Sequence, residues 1–103
     1  MKPVRIEPEA TEELAAAAEW YEHRREGLGR ELLAAVDAVL AMVARDAGRF
    51  PPYPGSDPRL AVRRAGTPRF PFSIAFIELD SAVRVIAIAH ERRRPGYWRD
   101  RLR

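Results

Sequence analysis

The chain contains no cysteine. Disulfides, thiolate metal sites and cysteine nucleophiles are excluded, and the composition fits a reducing compartment. Lysine is nearly absent too: of 18 basic residues 17 are arginine and only Lys2 is lysine. Arginine presents a planar fork that suits two-point contacts to phosphate or carboxylate, although a genomic base-composition bias gives the same pattern. The two histidines, His23 and His90, lie far apart without ligand spacing, so no metal site is expected. No run approaches the ~20 apolar residues of a membrane span. The opening "MKPVRIEPEA" has no apolar stretch of signal-peptide length. The expected setting is the cytoplasm, with no membrane contact and no cofactor.

What is present is ordinary globular composition: 103 residues, 47% hydrophobic and 32% charged. That length allows one domain, spanning 1–103. A core of this size is often marginal alone, so a permanent partner makes physical sense. The net charge of +3 is unevenly spread. Glu7 to Asp37 holds nine acidic residues against three arginines, whereas Glu91 to Arg103 holds six arginines against Glu91 and Asp100. The chain is a dipole in sequence, and residues 91–103 form a basic, aromatic C-terminal tail.

"VRI" at Val4 to Ile6 alternates as a short strand does. Pro8 suits a first helical turn, and Glu9, Glu12 and Glu13 favour the positive end of a helix dipole. Leu14, Ala17, Ala18 and Tyr21 recur at helical spacing, which predicts a helix from Pro8 to Glu26. Gly27 and Gly29 interrupt the pattern. Leu32, Leu33, Val36, Val39, Leu40 and Val43 then share one face of a second helix that ends near Asp46 to Gly48. So short a connection implies an antiparallel hairpin, with alanines permitting close approach. "GRFPPYPGSDP" is a loop. "RLAVRRA", "RFPFSIAFIEL" and "VRVIAIAH" read as three strands forming an antiparallel meander, with Pro71 near a strand start. The predicted class is α+β, in the order β-α-α-β-β-β, with one sheet face buried by the hairpin. The sheet and hairpin are complete by His90, so removing everything after Glu91 should leave the fold largely intact.

Four stretches carry a resemblance to a known family: "AEWYE", "GLGRELLAAVDAVL", "VRRAGTPRFPFSIAFIE" and "VRVIAIAHERRRPGYW". They resemble the ParE/RelE superfamily of toxins from bacterial type II toxin–antitoxin modules, over nearly the whole chain. The resemblance implies a RelE/ParE-like fold, a toxin role and neutralisation by a cognate antitoxin, through which alone operator DNA is bound. RelE-like members cut mRNA on the ribosome; ParE-like members poison DNA gyrase. The arginine near the start of the third strand in RelE-like toxins aligns with Ser73. The arginine after their last strand matches Arg92, and their C-terminal tyrosine matches Trp98, with Tyr97 adjacent. Their second-strand lysines are represented only by Arg59, Arg63 and Arg64.

Cleavage by an adjacent 2′-hydroxyl needs a proton acceptor, a proton donor and cations around the phosphorus. Serine carries no charge, and the tryptophan indole only donates. The balance favours a ParE-like, non-nuclease reading. If the chain is a nuclease, Arg92, His90 and Tyr97 are the catalytic candidates. For His90 the reading as a strand-ending histidine with local hydrogen bonds is favoured over that as a general base. Arg92, Arg93, Arg94, Tyr97, Trp98, Arg63 and Arg64 are the candidate target-binding residues, since cations interleaved with aromatics bind phosphates, bases or protein side chains. Against that stands the plain reading of a solvated charge run. Trp20 and Tyr21 cannot both face the core. Tyr21 fits the apolar face, and Trp20 either covers a sheet edge, the commoner fate of tryptophan, or stays exposed for a partner. The Glu-rich first helix reads as a solvated face. Three functions follow: a gyrase poison, a ribosome-dependent mRNA endonuclease, or an inactive member that only binds its antitoxin and modulates operator binding.

Overall fold

The computed structural model describes residues 1–102; Arg103, the last residue of the tail, lies outside the described residues. Strand β1 (Val4–Ile6) leads into helices α1 (Pro8–Arg24) and α2 (Leu28–Arg45), followed by strands β2 (Arg63–Gly66), β3 (Phe72–Glu78) and β4 (Val83–His90). The four strands form one sheet in the order β1-β4-β3-β2. β2, β3 and β4 are the expected antiparallel meander, and β1 adds parallel to β4, with Val4 opposite Val83.

Pro8 opens α1 as expected, and Gly27 turns the chain with a φ of 87°. Glu22 of α1 then accepts the Gly27 and Gly29 N–H groups at 2.8 and 3.0 Å, capping the donors that begin α2. Those bonds hold the Glu22 carboxyl below its ordinary pKa. A β-carbon on Gly29 would stand 2.4 Å from the Ala18 carbonyl oxygen, so the closest helix approach requires a glycine and not only the alanines. The second strand is shorter than expected. Asp57 accepts the Arg59 N–H at 2.9 Å and caps a turn of 3₁₀ helix at Pro58–Leu60, so pairing begins only at Arg63.

The hairpin buries one face of the sheet, as expected, and the other face is buried as well. On the helical side, Phe72, Ile74, Phe76, Val83 and Val85 pack against Leu32, Val36, Val39 and Val43. On the opposite side Val62, Ala75, Ile86 and Ala87 form a second core around Trp98. Alternation along the strands sends neighbours to opposite faces, so both faces of β3 and β4 are apolar. A bulge at Ile86 shifts the register between Ala75 and Phe76, which lets Ile86 and Ala87 both join the second core.

Candidate functional site

β4 ends at His90, and the chain turns there. The His90 carbonyl accepts the Arg93 N–H at 3.0 Å, and His90 Nδ1 accepts the Arg92 N–H at 3.0 Å. The ring stands edge-on to Phe72 at 5.1 Å. The local, strand-ending role is thus filled by Nδ1, while the ring still borders the surface depressions on either side of it. Arg92, Arg93 and Arg94 follow on the exposed side of the turn.

Beyond them the chain folds back. Gly96, at φ 84°, carries it inward, and Trp98 is 0% exposed beneath it. Tyr53 meets the Trp98 ring edge-on at 5.3 Å. Among the described residues the Trp98 indole N–H makes no hydrogen bond of good geometry, with the Tyr53 side chain as its neighbour. Burial pushes the Tyr53 hydroxyl above its ordinary pKa.

The residue that holds the tail in place is Glu13, on α1. Its two oxygens accept from Arg101 Nη1 at 2.9 Å and Nη2 at 3.0 Å, from the Tyr97 hydroxyl at 2.5 Å, and from the Ile88 N–H at 3.1 Å. Arg101 also donates to the Ile86 carbonyl at 3.1 Å. β1 pairs with β4 only as far as Val85, so Glu13 and Arg101 satisfy backbone groups that a longer strand would have taken. Burial opposes ionisation of Glu13, but the hydrogen bonds from Arg101, Tyr97 and Ile88 outweigh it and hold the carboxyl below its ordinary pKa. Burial, and next the bond to Glu13, drive the Tyr97 hydroxyl far above its ordinary range. Arg93 lies over the Tyr97 ring at 3.6 Å and 3.8 Å from Glu13. The Glu-rich helix is therefore not simply a solvated face: Glu13 organises the tail, and Glu7, just before the helix, pairs with Arg84.

This geometry revises several expected roles. Trp98 is core and presents no surface to a target. Tyr97 is half-buried with its hydroxyl committed to Glu13, and its raised pKa disfavours a proton-transfer role. Arg63 donates to the Phe50 and Gly48 carbonyls at 2.6 and 3.3 Å, pinning the proline-rich loop to β2. Arg64, one residue on, points to the opposite face and lines a polar depression with Tyr53, Ser73, His90 and Arg93. Ser73 is buried and supplies no charge. Arg92 is exposed on the other side of His90, where it borders a cleft with Trp20 and Tyr21. Trp20 is 52% exposed, against the commoner fate of tryptophan. Among the described residues no three His, Asp or Glu side chains converge as a metal site, and no helix is long and apolar enough to cross a membrane.

Glu13, Arg101 and Tyr53 were not foreseeable as a group, because their partners lie in distant parts of the chain. Chemically, the surface around His90 offers cations, the Glu91 carboxylate and one imidazole, with the nearby phenol of Tyr97 held in a hydrogen bond to Glu13.

No family model matches the chain, and the curated proteins contain no match to it. Among solved structures, it is similar to a chain of the "Chromosomal ParDE TA system from P. aeruginosa". The two are 22% identical, with a TM-score of 0.64, over 87% of this chain and 96% of that one. The likeness is one of fold, and it agrees with the β-α-α-β-β-β order read from the sequence.

Proposed function

We propose that this chain is a ParE-like toxin of a type II toxin–antitoxin module. It acts in the cytoplasm by binding and poisoning DNA gyrase, and a cognate antitoxin neutralises it and alone contacts operator DNA. The observation that carries the reading is the shared fold with a chain of a ParDE system over nearly that chain's full length. The state of Tyr97 supports binding over cleavage. A phenol that donates to a carboxylate and is held neutral by burial is poorly placed to give or take a proton.

One observation favours the RelE-type alternative, a ribosome-dependent mRNA endonuclease. Arg64, His90, Glu91 and Arg93 border one polar depression, where a phosphate could meet two cations beside a proton acceptor. Purified protein in a gyrase supercoiling assay, beside an in vitro translation assay scored for mRNA cleavage, separates the two. Inhibition of supercoiling with intact mRNA is the expected result. Cleavage with unaffected supercoiling would replace the proposal with the endonuclease, and no effect in either assay would leave a chain that binds only its antitoxin.

A further inference from the structure

The sequence holds two tryptophans, and the fold treats them oppositely. Trp98, set among the tail arginines, is core; Trp20, on the acidic helix, is 52% exposed. Its ring is held on two sides. The Arg24 guanidinium lies 4.1 Å from its centroid, and the Tyr21 ring meets it edge-on at 4.9 Å. Beside it opens an apolar cleft walled by Ala17, Tyr21, Phe72 and His90. Across His90 the cleft continues past Pro71 to Glu91 and Arg92.

We infer that this Trp20 cleft is a docking surface for an acidic polypeptide segment carrying a large apolar side chain. The apolar side chain enters between Trp20, Phe72 and His90, and carboxylates on either side of it meet Arg24 and Arg92. The charge pattern selects that occupant. Arg24 is stacked on Trp20 and Arg92 lies in the cleft wall beside Glu91, while the adjoining depression carries Arg93 and the Glu13 carboxylate, which Arg101 and Tyr97 already occupy. A tryptophan pre-set by a stacked arginine loses little freedom on binding, and arginine and tryptophan are the types that dominate binding energy at interfaces. The surface does not depend on the toxin reading and would stand whether the chain acts on gyrase, on the ribosome or on neither.

The two indole N–H groups allow a test with a built-in control. The ¹⁵N-labelled full chain is titrated, into the millimolar range, with three acetylated eight-residue peptides: acidic with a central leucine, acidic with a central serine, and lysine-rich with a central leucine. A pyrimidine octanucleotide forms a fourth arm. The expected result is that the acidic leucine peptide moves the Trp20 indole resonance and leaves that of Trp98 in place. Replacing Arg24 and Arg92 together by alanine should weaken that binding about tenfold or more, the scale of one lost charge-assisted contact. The inference is overturned if the serine or lysine-rich peptide binds equally well, if the oligonucleotide moves Trp20 more than the peptide does, or if no peptide moves it. Because both arginines are surface residues, retained dispersion of the double variant's spectrum establishes that its fold is intact.

Discussion

Glu13 and Arg101 stand 88 positions apart in the chain and meet through two parallel hydrogen bonds of 2.9 and 3.0 Å. Both side chains are mostly buried, at 17% and 19% exposure. The pair joins the first helix to the last turn and closes the open part of the β4 edge. Replacing Glu13 by alanine leaves Arg101, the Tyr97 hydroxyl and the Ile88 N–H without their acceptor. The expected loss is about 3 kcal/mol, the scale of breaking a largely buried ion pair. Urea unfolding of Glu13→Ala checks it; a loss below half that figure would show that the tail is held chiefly by Trp98.

The same carboxylate sets a pH dependence. Its native pKa lies below its ordinary value of 4.5. Its contribution is therefore present above about pH 4.5 and is lost as pH falls through the native pKa. Unfolding curves across the acid range should show a weaker decline for Glu13→Gln than for the unaltered chain. Equal declines would assign the acid sensitivity to other carboxylates.

Truncation after Glu91, which the sequence suggested the fold would tolerate, should instead be costly. It removes Trp98 from the second core and exposes Val62, Ala75, Ile86 and Ala87. The point substitution Trp98→Ala alone should cost about 3–5 kcal/mol. Circular dichroism and solubility of the truncated chain decide this; a soluble, cooperatively folding 91-residue fragment would return the tail to a purely functional role.

Gly29→Ala places a β-carbon 2.4 Å from a backbone oxygen, a neighbour that cannot rotate away. The hairpin must open, at about 1–3 kcal/mol. Thermal unfolding should report the loss with activity per folded molecule unchanged.

Two substitutions separate a binding poison from a nuclease. Tyr97→Phe removes a hydrogen bond to a charged acceptor and should cost about 1.5–3 kcal/mol of stability, while toxicity measured below the melting range persists. Arg92→Ala should weaken a binding poison in a way that excess protein overcomes, since the fault is occupancy. In a nuclease, Arg92→Ala lowers the rate even at saturation, and Tyr97→Phe does so only if the Tyr97 phenol serves in proton transfer. Ribosome-dependent cleavage abolished by Arg92→Ala at every concentration would decide for the nuclease.

Much of this was legible in the residues themselves. The period of Leu32, Val36, Val39 and Val43, the glycines between the helices, and the alternation from Val83 to Ile88 are local signals, and they set the element order and the meander. The tail was misread because "RRRPGYW" looks the same whether its aromatics face solvent or a sheet. Composition reports that tryptophan and arginine are adjacent, not which of them turns inward. That choice depends on whether anything else covers the second sheet face, and on Glu13, which the packing of α1 on β4 places beside Tyr97 and Arg101.

The sequence by itself thus determined the order of elements, the absence of thiol chemistry and the basic character of the C-terminus, because each rests on local periodicity or on counting. The tertiary structure decided which tryptophan is core and which is surface, which arginines are pinned to carbonyls and carboxylates and which remain exposed, and which carboxylate closes the sheet edge. Those are contests between distant groups for the same buried volume and the same hydrogen-bond partners, and they are resolved only when the helices and the tail pack on opposite faces of one sheet.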